Sequence, residues 1–498
     1  MPDLVQKITA PNGVTYEQPL GLFINNKWTP SSNGQKISSI NPTTESEIVS
    51  VYAATEADVD SAVRAARSAF ENESWSGMDG TSRGQLMVKL ADIVERNQKV
   101  LATIEALDNG KPYSKALGDI EEVFSVLRYY AGWADKHYGQ TINASPAKFT
   151  YTVREPIGVC GQIIPWNYPI GMASWKLGPA LACGNTIVMK ASEHTPLSIL
   201  YFANLVAEAG FPPGVLNIIN GHGSEAGAAL AQHPEVDKVA FTGSTATGKE
   251  IMKLASRTLK SITLETGGKS PLVIFDDASL ENAVKAAHFG VMGNMGQICT
   301  ATSRVFVHEK IYDSFMNAFV EYAAKVSVIG DPFDENTSQG AQVSKQQFDK
   351  ILAYVHAAKN EGATIVSGGT VAENRPNNKG YFIAPTVVGD VKPNMRVYRE
   401  EIFGPFGVFV KFSDEDEVIK MANDTDYGLA AAICTRDNSR IHRIVPKLKV
   451  GVVSVNATNN SDFRVPFGGV KQSGIGRELG QAGLDAYSNI KSVLMNIT

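Results

Sequence analysis

The chain has 498 residues, of which 43% are hydrophobic and 19% charged, and a formal net charge of -5. That exceeds one ordinary core and predicts two or three domains of a globular protein, with no basic face for nucleic acid or an anionic membrane. The expected partners are a small-molecule substrate and further copies of the chain. Four cysteines, Cys160, Cys183, Cys299 and Cys434, lie far apart with no CxxC and no histidine at ligand spacing. This fits a reducing, cytoplasmic compartment and argues against a disulfide framework or a metal site.

The first residues contain neither an apolar run nor an Arg-rich amphipathic stretch, so neither secretion nor organelle import is expected. Residues 1–55 are turn-rich with short strand candidates such as 22–24. From Glu56 onward Val59, Ala62, Val63, Ala66 and Phe70 recur at helical spacing, and similar stripes follow in 83–107 and 119–138. The most apolar long stretch, 160–184, is broken by Pro165, Pro169, Lys176 and Pro179 and predicts no membrane span.

Between 151 and 275 the pattern alternates, with strands expected at 158–164, 186–190, 215–219, 238–242 and 262–265. The helices expected between them are 171–183, 196–208, 224–232 and 245–256. Short connections between such units predict an open parallel sheet covered on both faces, with ligands at the carboxyl ends of its strands. A second alternating section has strand candidates at 272–275, 304–307, 364–366, 408–412 and 452–455, separated by helices at 279–292, 310–327, 344–360 and 415–422. The Gly267-Gly268 pair and Pro271 mark the boundary between the two sections.

Cys299 falls on a polar, glycine-spaced loop, 293–299, between a helix and a strand. Loops present reacting groups, and a thiol placed there is a candidate nucleophile, although single cysteines are more often inert core residues. Glu265 ends an apolar strand, where partial burial would raise its pKa toward use as a base; the plainer reading is an ion pair with Lys269. Asn167 can offer an amide N–H to an oxyanion, or can simply shape the proline-flanked turn that holds it. Residues 243–250 nearly spell a P-loop but carry Glu250 where a metal-binding hydroxyl is needed. What survives is a strand, Gly243-Ser244 and a helix N-terminus, suited to a pyrophosphate or equally to ordinary capping. The segment 474–480 has the wrong spacing for GxGxxG and reads as a turn.

Taken together, seven stretches resemble the NAD(P)-dependent aldehyde dehydrogenase superfamily, and the likeness runs through nearly the whole chain. They are IIPWNYP at 163–169, VMKASEHTPL at 188–197, FTGST at 241–245, LETGGKSP at 264–271, GQIC at 296–299, EEIFGP at 400–405 and PFGGVKQSGIGRELG at 466–480. The nearest branch is that of the cytosolic-type fungal enzymes. The resemblance implies an α/β fold with two doubly wound parallel-sheet domains and a small bridging strand domain for oligomerisation. The implied limits are 1–140 and 158–268 for the cofactor-binding domain, 269–480 for the catalytic domain, and 141–157 with 481–498 for the strands that make a dimer or tetramer.

The implied chemistry is oxidation of an aldehyde to its acid. Cys299 would be the nucleophile, Asn167 the oxyanion donor, Glu265 the water-activating base and Glu478 a more remote proton-relay carboxylate. Thiohemiacetal and then thioester would form on Cys299. Trp166, Lys190, Glu193, Gly243, Ser244, Gln347, Glu401 and Phe403 match cofactor positions, with NAD expected ahead of NADP because Glu193 would repel a 2′-phosphate. Tyr168, Met172, Trp175, Ile298, Thr300, Ser461 and Phe467 match the substrate tunnel, which is expected to take an apolar tail. A cysteine-dependent acyl hydrolase without redox chemistry is the alternative, although it would have no use for Lys190, Glu193 and Glu401.

Overall fold

Four runs in which every residue is buried, Val159–Ile163, Thr186–Lys190, Leu216–Ile219 and Lys238–Thr242, form the centre of the first sheet. Continuous apolar strands of this kind are stable only where helices cover both faces. In the computed structural model, which describes residues 4–497, both faces are covered. The outer limits expected from the sequence, residues 1 and 498, lie outside the described residues. Helices Gly80–Arg96, Gln98–Asn109, Tyr113–Ala131, Pro169–Ala182 and Leu197–Ala209 cover one face; Glu56–Glu71, Ala228–Gln232 and Thr245–Ala255 cover the other.

The strand order is Gly474–Ile475, Ser261–Glu265, Lys238–Thr242, Val159–Ile163, Thr186–Lys190, Leu216–Ile219, Leu22–Ile24, Lys27–Thr29. The middle five are parallel and the outer three antiparallel. From Val159–Ile163 the chain builds two strands outward on one side, then returns to build two on the other. The topological switch therefore lies between Val159–Ile163 and Lys238–Thr242, and a crevice opens there at the carboxyl ends.

The second sheet runs Thr364–Ser367, Thr386–Gly389, Phe406–Phe412, Arg304–His308, Pro271–Ile274, Ala430–Cys434, Val452–Val455, parallel except at Thr364–Ser367. The architecture is thus α/β with two doubly wound sheets. A third, antiparallel sheet joins Thr141–Ser145, Lys148–Pro156 and Ser488–Asn496.

Several local expectations are corrected. The stripe at 83–107 is two helices broken at Asn97, whose side-chain amide turns back to the Ile93 carbonyl at 2.8 Å. The helix expected at 119–138 spans Tyr113–Ala131. Strands Thr386–Gly389 and Ala430–Cys434 were not expected from the pattern. Residues in 474–480 are more than a turn: Gly474 pairs with Glu265, and Glu478 bridges Phe467. In 481–498, the first residues belong to helix Gly480–Asp485, and the strand begins at Ser488.

Candidate active site

The carboxyl ends of the first sheet deliver Trp166-Asn167, Gly243-Ser244 and Glu265 side by side. The loop before Arg304–His308 brings Cys299 against them from the second sheet. All of these line one cavity of about 410 Å³.

The loop that carries Cys299 is held in a conformation few residues tolerate. Asn294, Met295 and Gly296 have φ of 45°, 57° and 71°. A Cβ on Gly296 would run into the Gly404 carbonyl, so that position admits only glycine. Asn294 Nδ2 donates to the Asn167 carbonyl at 3.1 Å, and Asn167 Nδ2 donates to the Gln297 carbonyl at 3.0 Å. Lys111 Nζ also donates to the Asn167 carbonyl, at 3.1 Å. Asn167 is thereby fixed beside the thiol, with the second N–H of its amide left for an oxyanion. Burial, then the charges of Glu265 and Glu401, push the Cys299 thiol up to about 12.

Glu265 is only 3% exposed, and neither carboxylate oxygen has a partner. Its expected ion pair with Lys269 is not formed, since the Lys269 ammonium is also without a partner. Burial and then the neighbouring Glu478 raise the Glu265 pKa well above the ordinary carboxylate range, while Lys176 and Arg477 oppose them. Gly468 leaves room over the carboxyl; a Cβ there would sit 2.6 Å from Oε1. Glu478 is paired with Lys176, whose Nζ also donates to Thr242 Oγ1 at 2.6 Å. The role of Lys176 was not read from the sequence, although one lysine in an otherwise apolar helix, Pro169–Ala182, was a usable signal.

Among the expected cofactor residues, Ser244 caps helix Thr245–Ala255, accepting from the Thr247 N–H at 3.1 Å. Glu401 Oε1 accepts from the Gly268 N–H at 2.9 Å, and a Cβ on Gly267 would meet its other oxygen. Phe403 holds a φ of 62° and sets its ring edge-on to Trp166 at 5.2 Å. Gln347 Nε2 donates to the Ile402 and Phe403 carbonyls at 3.1 and 2.7 Å, which fixes that unfavourable turn. Gln347, Glu401, Phe403, Trp166, Gly243 and Ser244 share the cavity with Cys299.

Lys190 and Glu193 do not line the cavity; they lie at the end of the adjoining strand. Lys190 Nζ donates to Glu193 Oε2 at 3.0 Å, and the Gly223 N–H donates to Glu193 Oε1 at 3.3 Å. Burial, the largest single influence, works against the Glu193 charge, but the Lys190 charge and the hydrogen bonds from Lys190 and backbone N–H groups together bring the carboxyl down to about 2.

The expected tunnel residues Tyr168, Met172, Trp175, Ile298, Thr300, Ser461 and Phe467 also line the cavity. Trp175 and Phe467 meet edge-on at 5.1 Å, and Thr300 Oγ1 donates to Asn459 Oδ1 at 3.0 Å. The expectation of an apolar tunnel is incomplete, because Asp119 and Glu122 stand in the same wall. Phe289 was likewise missed. No local pattern distinguishes it, and only the fold brings it to the site.

A profile of the aldehyde dehydrogenase family matches residues 28–493, and the chain belongs to that family. An aldehyde dehydrogenase of Emericella nidulans is 52% identical over 494 residues, covering 99% of this chain and 98% of that one. The mitochondrial aldehyde dehydrogenase of Homo sapiens is 50% identical over 495 residues, covering 99% and 95%. Among solved structures, the NAD+ complex of an aldehyde dehydrogenase from Bacillus cereus matches with a TM-score of 0.94 and 49% identity, covering 96% of this chain and 97% of that one.

Proposed function

We propose that this chain oxidises an aldehyde to its carboxylic acid with NAD as acceptor, through a covalent adduct on Cys299. The observation that carries the reading is the meeting of three groups in one cavity: the Cys299 thiol, the Asn167 amide and the partnerless Glu265 carboxyl. The residues fit NAD as well. Ser244 stands at a helix N-terminus, Glu193 is a carboxylate kept ionised, and glycine at 267 leaves space against Glu401. Trp166, Lys190, Glu193, Gly243, Ser244, Gln347, Glu401 and Phe403 would hold the dinucleotide. When bound, it supplies the acceptor for the hydrogen and two electrons that leave the substrate carbon.

The chain's own groups do the rest. Cys299, once deprotonated, bonds to the aldehyde carbon, and the carbonyl electrons move onto oxygen, where Asn167 Nδ2 and the Cys299 backbone N–H receive the charge. Loss of the carbon-bound hydrogen leaves a thioester. Glu265 takes a proton from water as the water attacks, the carbon–sulfur bond breaks, and the thiolate departs. Glu478, anchored by Lys176, is placed to pass the proton outward.

The test separates acylation from hydrolysis. In Glu265→Gln, steady-state turnover falls by roughly 10² to 10⁴, as for loss of a general base. Rapid mixing still shows an NADH burst, slower if Glu265 also primes the thiol, and intact-mass measurement finds the acyl group on Cys299. Near-normal turnover overturns the assignment of the base.

We also propose cofactor-binding residues 1–140 and 158–268, a catalytic unit 269–480, and oligomerisation through 141–157 and 481–498. The third sheet leaves Phe149, Ile490 and Leu494 exposed at 45%, 60% and 66%, which supports pairing with another copy. A cytoplasmic location fits four free cysteines.

A further inference from the structure

The cavity that holds Cys299 does not end at the residues matched to cofactor and tail. It also reaches Ala430, Ala431 and Ala432 of strand Ala430–Cys434, and Val452 and Ser454 of strand Val452–Val455. The two strands are parallel neighbours whose register pairs Ala430 with Val452 and Ala432 with Ser454. Residues paired in register share a face, so four short side chains stand together on one side of the sheet. None of them is larger than valine, and a hollow remains where protein interiors are normally filled.

The walls around this hollow are tied in place. The loop after Val452–Val455 is pinned to the last turns of helix Leu280–Met292: Thr458 Oγ1 donates to the Ala286 carbonyl at 2.6 Å, and Asn459 Nδ2 to the Phe289 carbonyl at 3.1 Å. Asn456 Oδ1 accepts from the Thr435 N–H at 3.0 Å, which joins the ends of the two strands. Thr300, next to the nucleophile, is bonded to the same loop through Asn459. With its walls fixed, an unfilled hollow forfeits packing contacts, and a ligand arm that enters it gains them.

A linear aldehyde has a single tail. Laid against Trp175 and Phe467 it leaves the hollow empty; laid in the hollow it leaves those rings uncovered. A second alkyl arm on the carbon next to the carbonyl fills both at once. Resting on the proposed aldehyde oxidation, we infer that the substrate is an aldehyde branched beside its carbonyl, its shorter arm received by Ala430, Ala432, Val452 and Ser454. These residues set specificity by being small, and Ser454, half-buried on the outermost strand, is the one that can be enlarged with least disturbance.

The experiment compares 2-ethylbutanal with hexanal, which have equal numbers of carbons, at neutral pH with saturating NAD. Wild-type kcat/KM favours 2-ethylbutanal. Ser454→Val and Ser454→Leu fill the hollow in two steps. The leucine variant lowers kcat/KM for 2-ethylbutanal about tenfold or more, the valine variant by less, and both move hexanal by less than about threefold. Thermal unfolding gives a readout independent of turnover. Added side-chain volume that finds room leaves Tm within about 2 °C of wild type, whereas the same volume forced into a packed interior lowers it further. A larger fall in Tm, or failure to fold, overturns the hollow itself. A wild-type preference for hexanal, or the same change on both aldehydes in the variants, overturns the inference while leaving aldehyde oxidation intact. Failure of the wild type to oxidise either aldehyde overturns the underlying function as well.

Discussion

Lys176 and Glu478 form an ion pair in which neither side chain reaches solvent appreciably, at 0% and 4% exposure, although 302 residues separate them in sequence. Removing the cation as Lys176→Met isolates a carboxylate beside the buried, partnerless Glu265. Stability should fall by about 3 to 5 kcal/mol, the usual consequence of stranding one member of a buried pair. Urea midpoints of Lys176→Met and of Lys176→Met/Glu478→Gln should show the second change recovering part of the loss, because it removes the stranded charge. No recovery would show that packing, not charge, explains the loss.

Cys299→Ala should abolish aldehyde oxidation and leave NAD binding within about twofold, because the thiol forms the substrate bond and is not among the groups expected to hold the nucleotide. Binding measured by fluorescence quenching and turnover measured by NADH absorbance separate the two. Cys160, Cys183 and Cys434 are buried outside the cavity lining, and serine at those positions should affect folding more than chemistry.

The raised thiol pKa, about 12 through burial and then Glu265 and Glu401, has a direct reading in alkylation. Only the thiolate reacts, so iodoacetamide modification of Cys299 in the free protein should be slow at neutral pH and climb about tenfold per pH unit toward the alkaline limit. The same shift favours the protonated thiol in the folded state. It should therefore lower stability as pH rises past the unfolded thiol pKa of about 8.5. A rate that levels off near pH 8, followed by peptide mass mapping, would contradict the site electrostatics.

Glu193, held down to about 2 against burial by Lys190 and by hydrogen bonds from Lys190 and the backbone, is ionised at every working pH. NAD should therefore be preferred to NADP. Glu193→Gln should narrow the ratio of the two kcat/KM values by about tenfold, mainly by improving NADP. A wild-type preference for NADP would show that the ribose end of the site lies elsewhere.

The strands of the first sheet were legible because burial on both faces makes them continuous apolar runs, and Val159–Ile163, Thr186–Lys190 and Lys238–Thr242 lie within a residue or so of their expected limits. Ala430–Cys434 was hidden because AAAIC, though a central strand, is mostly alanine and carries little β signal. The third sheet has no buried stripe to read; Thr141–Ser145 is polar and exposed, and only the family likeness pointed to it. At the site, motif residues such as Cys299, Asn167 and Glu265 were found because their neighbours are distinctive. Lys176 was not, since its meaning comes from its contact with Glu478 across the tertiary fold.

The near-collision of Gly296 with the Gly404 carbonyl makes the Cys299 loop and the Glu401-to-Pro405 turn a single mechanical part. With Gln347 clamping the turn from a third element, none of these pieces has slack to adjust to a foreign partner. Protein engineers who recombine this enzyme with its relatives should therefore treat residues 293–300, 347 and 401–405 as one indivisible cassette. Crossovers placed between them would shear the mould that shapes the nucleophile, whereas crossovers outside it would leave that mould whole.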